Sequence, residues 1–161
     1  YKNIALTGMQ YRWLAKRKVK LLPFIRNSRI YSCVLIKNDL PFRWRGKYNE
    51  DTDLSIRVLK DGWGTVSSLM FLAEKINTMA MKGGNTDELY RGNGRLKMAE
   101  SLVKQHPDVV KITRKWGRYQ HQVDYRPFKN NKFILKEDAE PVKSLEEYGL
   151  KLIRNKICPQ A

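Results

Sequence analysis

Cysteine and histidine are almost missing from this chain, with two of each in 161 residues. Cys33 and Cys158 show no metal-site or disulfide-framework spacing, which excludes disulfide-stapled and zinc-folded classes and fits a reducing cytosol. Cys33 sits in an apolar run and reads as a small buried hydrophobe, whereas Cys158 reads as exposed. No apolar run approaches the roughly 20 residues of a membrane-spanning helix, and no stretch reads as a signal peptide. Acidic residues are scarce too: 16 Asp and Glu stand against 32 Lys and Arg, a formal net charge of +16. There is no internal repeat and no low-complexity segment.

The length allows one domain with a proper core, and the apolar fraction of 42% is ordinary for a globular fold. The charge is not ordinary, and it is uneven. Residues 1–47 hold 12 Lys and Arg against one acid, Asp39, a net of +11, which leaves +5 for the remainder. A surface that basic attracts polyanions: nucleic acid, nucleotide phosphates or an anionic membrane. Arg12, Lys16, Arg17 and Lys18 lie among Tyr11 and Trp13, and Arg43, Arg45 and Lys47 lie around Trp44. Cations interleaved with aromatics suit phosphate neutralisation and base stacking. The plainer reading is a solvated basic face whose aromatics turn inward.

Strands are expected at residues 3–7, 31–36, 65–71, 109–113 and 119–125 and helices at 53–61, 95–105 and 142–157, an α/β pattern. Tyr31–Ile36 reads as a strand of a buried sheet. The chain is organised around Tyr48-Asn49-Glu50-Asp51-Thr52-Asp53-Leu54, where three carboxylates precede an apolar helical pattern. Asp51, Thr52 and Asp53 suit a helix cap, and exposed N–H groups hold carboxylates there as anions. Arg57 lies one turn after Asp53 and can pair with it. The cluster reads either as a cap with a salt bridge or as a general base or metal ligand on a rigid element. Lys82-Gly83-Gly84-Asn85-Thr86 reads as an ordinary connection or as a loop that cradles a phosphate. His106 reads as a helix-terminal cation. His121 alternates with Val123 and Tyr125 on one strand face and reads as a structural hydrogen-bonder or a metal ligand.

Five stretches in order resemble the TET-associated glycosyltransferase family of bacteriophages. They are Asn27-Ser28-Arg29-Ile30-Tyr31-Ser32-Cys33, the acidic block through Leu54 with Arg57, Lys82–Thr86, His106-Pro107-Asp108-Val109, and Trp116-Gly117-Arg118 with His121 and Val123-Asp124-Tyr125. The resemblance runs from about Ala5 to about Phe133. It implies a GT-A (Rossmann-like) fold and transfer of a sugar from a nucleotide sugar, a UDP-sugar, to the hydroxyl of a 5-hydroxymethylated base, 5-hydroxymethylcytosine, in double-stranded phage DNA. The cytoplasm of an infected bacterial host is the implied compartment, with no membrane partner.

Carried over residue by residue, Asp51 or Asp53, with Glu50 beside them, would supply the base or sugar-acceptor-side carboxylate. His121 would complete a Mn or Mg site on the donor diphosphate. Arg118 and Tyr125 would contact that diphosphate, and Lys82, Gly83, Gly84, Asn85 and Thr86 would lie over the donor. The family's main Asp-x-Asp motif lies upstream of the acceptor strand and has no match before residue 27. Residues 1–133 are therefore expected to be the acceptor-side part of the domain, with 134–161 a helical tail and the nucleotide-binding half in a missing N-terminal segment or on a second chain. Two other classes compete. One is a Mg-dependent nuclease with its metal on Glu50, Asp51 and Asp53; the other is a non-catalytic basic DNA-binding module whose acids only cap a helix.

Overall fold

The computed structural model describes residues 1–15, 23–75 and 92–139. Lys16, Arg17 and Lys18, the loop Lys82 to Thr86, the expected tail helix over 142–157 and Cys158 lie outside the described residues. The described chain is mixed α/β. Its strands are β1 (Ile4–Tyr11), β2 (Phe24–Arg26), β3 (Ser32–Ile36), β4 (Gly64–Ala73), β5 (Val110–Lys115) and β6 (Arg118–Val123). Its helices are α1 (Glu50–Lys60) and α2 (Gly94–Gln105), with short 3-10 turns at Arg12–Leu14 and Arg126–Asn130. Among the described residues, no helix is long and apolar enough to cross a membrane.

Four strands form a mixed sheet in the order β2-β4-β1-β3. The central pair β1 and β4 is parallel, in the register Thr7 to Val66, and each carries an antiparallel edge strand. β5 and β6 form a separate antiparallel hairpin. The expectation of a buried strand at 31–36 is corrected by this order. β3 is an edge strand, so Leu35 is 71% exposed and Cys33 is exposed rather than a core hydrophobe.

α1 is the middle layer, because its sequence places apolar side chains on two sides. At 100° per residue, Leu54 and Val58 point one way and Ile56 and Leu59 nearly the opposite way. Leu54 and Val58 pack with Ala5, Leu6, Ile30 and Leu40 on the sheet side. Ile56 and Leu59 pack with Leu102, Val109, Val110 and Phe128 on the side of α2 and the hairpin. Each such fully buried Leu or Ile contributes roughly 1.5–3 kcal/mol of transfer free energy. A helix apolar on two sides joins what would otherwise be two small cores.

Two asparagines lock the chain around this helix. Asn27, in the left-handed region at φ 51°, donates its amide to the carbonyls of Phe128 (3.0 Å) and Asn131 (2.9 Å). Asn131 in turn donates to the carbonyls of Leu59 and Trp63 just after α1. Further on, the chain returns to its own beginning, where Asn3 donates to the Lys132 carbonyl and Lys2 N–H to that of Ile134.

The β1–β3 register slips between Thr7 and Met9, and Gly8 sits at the slip. A Cβ built on Gly8 would lie 2.5 Å from the Ser32 carbonyl oxygen, so only glycine lets the two strands approach. Gly8→Ala is therefore expected to lower the unfolding free energy by about 1–3 kcal/mol, as for other overpacked sites. Urea denaturation checks it; an unchanged midpoint would mean the strands separate freely there.

Candidate functional site

α1 begins at Glu50, three residues earlier than the capping pattern indicates, and its N-cap is Asn49 in the left-handed region at φ 52°. The acids therefore occupy the first turn rather than the cap. Asn49 has no side-chain capping bond and instead donates its amide to the Met98 carbonyl of α2, 3.0 Å away. This shift of register separates the three carboxylates. Glu50 is exposed. Asp51 is partly buried toward Arg29, and Asp53 is fully buried.

Asp53, a candidate base by sequence, is a fully buried hub of hydrogen bonds. Arg45 Nε lies 3.0 Å from Oδ2 and Arg45 Nη2 2.9 Å from Oδ1; Arg57 Nε lies 2.8 Å from Oδ2. His106 Nε2 is 2.8 Å from Oδ1. A carboxylate can only accept, so His106 carries its proton on Nε2, and its Nδ1 is left buried without a partner. Burial alone would raise the Asp53 carboxyl, but hydrogen bonds from Arg45 and His106 and the charge of Arg57 outweigh it and hold it below the usual range. Burial outweighs the Asp53 bond at His106 and keeps its imidazole below 6.5, so His106 is a neutral buried group rather than a helix-terminal cation.

The same geometry corrects the second basic cluster. Arg45 is spent on Asp53, and Arg43 donates to the carbonyls of Leu40 (2.6 Å) and Phe42 (2.9 Å). Arg57 also reaches the Arg43 carbonyl, so these groups fold the loop before α1 onto the helix. Lys47 is exposed. Arg12 is exposed and ion-paired to Glu74 at 2.5 Å.

Asp51 is bonded to Arg29, a residue that lines a pocket. Its Oδ2 accepts from Arg29 Nη2 at 2.5 Å, and its Oδ1 accepts the Thr52 N–H at 2.7 Å. The Arg29 guanidinium lies 4.7 Å from the Tyr31 ring centroid. Burial works against its charge, but Asp51 and Tyr31 outweigh that and hold it firmly protonated. Arg29 lines a pocket of about 430 Å³ with Trp13, Tyr31, Asn49, Trp116 and His121. That volume falls in the range of small-ligand sites. His121 thus stands on the pocket wall, paired across the hairpin with Ile112. Burial first, then the charge of Arg29, keep it below 6.5, against the opposing pull of Asp51.

Tyr125 stands apart from the role expected of it. Its hydroxyl is buried without a partner, and burial pushes the phenol above its usual value. The charges of Arg29 and Asp51 act on it in opposite directions. Arg118 opens β6 beside Arg95 and Arg114, and Tyr125 follows the other end of that strand.

The described residues do not build a metal centre around His121. No three His, Cys, Asp or Glu side chains among them stand close enough to hold an ion. The nearby cation Arg29 already neutralises Asp51 and would repel a second positive charge. Three carboxylates likewise do not converge on one point, which removes the geometry that the nuclease reading needs.

The model of the TET-Associated Glycosyltransferase family matches residues 1–84. The chain belongs to that family. The match spans β1 to β4 and holds Arg29, Asn49 and Asp51, while His121 and the hairpin lie beyond it. No curated protein and no solved structure matches the chain. Membership makes the chain a glycosyltransferase in the general sense. Arg29, which holds Asp51, and Asn49 stood in the resemblance stretches, but no role could be read for them from residue type, since an arginine after Asn-Ser and an asparagine before Glu are ordinary turn residues.

Asp53→Asn is expected to destabilise the protein by about 3–5 kcal/mol, because it leaves two arginines partly unmatched against a buried amide. Chemical denaturation checks this, and a stable variant that merely lost activity would return Asp53 to the reaction. The histidines give a pH test. Both have folded pKa values below the unfolded 6.5, so unfolding takes up protons as pH falls through that value. Stability is then full above about pH 6.5 and declines below it. The double variant His106→Gln, His121→Gln is expected to lose that limb in a thermal melt series and keep only the carboxylate limb below about pH 4.

Proposed function

We propose that this protein is the acceptor-side part of a GT-A-type glycosyltransferase that moves a sugar from a nucleotide sugar, a UDP-sugar, onto the hydroxyl of 5-hydroxymethylcytosine in double-stranded phage DNA. The observation that carries the reading is Asp51: a carboxylate on the first turn of α1 bonded to Arg29, which itself lines an aromatic, basic pocket. The parallel β1–β4 pair packed on α1 supports the fold assignment, and the formal net charge of +16 supports a polyanionic substrate.

In this reaction the base's hydroxyl oxygen attacks the anomeric carbon of the donor. A new C–O bond forms as the bond from that carbon to the nucleoside diphosphate breaks, and the hydroxyl proton passes to Asp51. Arg29 fixes the orientation of the carboxylate before substrate arrives. Neutral His121 can donate or accept one hydrogen bond on the opposite wall. A divalent ion on the donor diphosphate would supply Lewis-acid charge neutralisation, with ligands from outside the described residues. The test uses the complete enzyme.

Duplex DNA containing 5-hydroxymethylcytosine is incubated with UDP-sugars and Mg²⁺ or Mn²⁺, then digested and its nucleosides are weighed by mass spectrometry. A hexose or pentose increment on the modified nucleoside with an intact backbone is expected. Asp51→Asn should lower the rate at least about 100-fold, the scale of a lost general base, and leave DNA affinity unchanged. Cleaved DNA, or full turnover by Asp51→Asn, would overturn the assignment.

A further inference from the structure

The hairpin tip carries a feature that sugar transfer itself does not use. Lys115 pairs with Arg118 across a two-residue turn made of Trp116 at φ 51° and Gly117 at φ 72°. Both central residues are in the left-handed region, where Asn-Gly is the favoured pair and a bulky residue is strained. The Trp116 ring is 83% exposed, so no packing offsets the strain. A strained backbone that presents a large aromatic to solvent points to a ligand outside the fold.

The surroundings identify the ligand chemistry. Residues 110–123 contain Lys111, Arg114, Lys115 and Arg118 and no Asp or Glu. None of these four forms an ion pair among the described residues, in contrast to Arg12, Arg29, Arg45 and Arg57. Arg95 and Arg114 join Arg118 in a second concavity beside Tyr119, close to the hairpin turn. A two-stranded ribbon fits the major groove, and cations along it can meet a phosphate backbone. Trp116 lines the same pocket as Arg29, the partner of Asp51. A base still stacked in a duplex cannot enter that pocket.

We propose that Trp116 is a wedge: it enters the duplex beside the target nucleotide, holds the gap in the stack and keeps the extruded base in the pocket, while Lys115 and Arg118 grip the flanking phosphates. This rests on DNA being the sugar acceptor. Enzymes that act on a base take it out of the stack, and apolar or aromatic wedges at the step stabilise the opened duplex. Trp116 is here a positioning residue and takes no part in bond making.

The test uses the full chain and a duplex with one 5-hydroxymethylcytosine next to 2-aminopurine, whose fluorescence rises when it is unstacked. Binding is followed by anisotropy in parallel. Wild type is expected to bind and raise the 2-aminopurine signal several-fold. Trp116→Asn places the favoured Asn-Gly pair in the turn, so the hairpin and the melting temperature are retained. It is expected to bind within about threefold of wild type and lose the fluorescence rise. The double variant Lys115→Ala, Arg118→Ala should weaken binding at least tenfold and reduce the salt slope by about two phosphate contacts. Full fluorescence with Trp116→Asn, or binding by wild type with no rise, overturns the wedge and leaves DNA as the sugar acceptor standing. Failure of wild type to bind the duplex at low salt overturns both.

Discussion

The buried carboxylate of Asp53 is the constraint on which the rest of the structure depends. It draws three separate pieces of chain to one point: Arg45 from the loop before α1, Arg57 from the next turn of the helix, and His106 from the end of α2. An unpaired charge there would be far too costly to bury, so the arginines are obligatory partners rather than surface decoration. Once Arg45 is fixed, the loop leading into α1 has little freedom, and Arg57 completes it by binding the Arg43 carbonyl. The loop then delivers Asn49 in the left-handed conformation, bonded to α2. The first turn of α1, with Asp51, is set beside Arg29 as a consequence. A fully buried charged group sets the position of a partly exposed one.

The elements were legible where a local pattern decided them. β1, β4, α2 and the hairpin follow from apolar alternation or helical spacing, and their expected bounds differ from the observed ones by a few residues at each end. The burial of β3 was not legible, because an apolar run reads the same on a central and an edge strand; only the order β2-β4-β1-β3 decides it. The start of α1 was displaced because Asp51, Thr52 and Asp53 are all good caps by type, whereas the observed cap, Asn49, is held by a tertiary bond to Met98. No local rule contains that bond.

The site was legible as a region and not in its details. The acidic block holds the carboxylate bonded to the pocket-lining Arg29, and His121 lines that pocket too. Composition alone could not distinguish Arg43 and Arg45 from cations available to a polyanion, because a lysine- or arginine-rich loop looks the same whether its charges face solvent or a buried aspartate. Arg29 was invisible for the opposite reason. Its partner Asp51 is 22 residues away, and the sheet rather than the sequence brings them together.

Asp51 and Asp53 are separated by one residue and meet opposite fates, and helix geometry explains why. Residues two apart on a helix are 200° apart around its axis. Asp51 and Asp53 therefore cannot share one ligand without leaving the helix, which is why a literal Asp-Thr-Asp string fails to form a paired carboxylate clamp here. One side of α1 turns toward Arg45, Arg57 and His106, which saturate a carboxylate; the other turns toward Arg29 and an open cavity. Arg29 reaches Asp51 from one side only, and the side chain keeps 28% of its surface accessible. A carboxylate bonded to Arg29 and to the Thr52 N–H that still keeps accessible surface is oriented without being saturated.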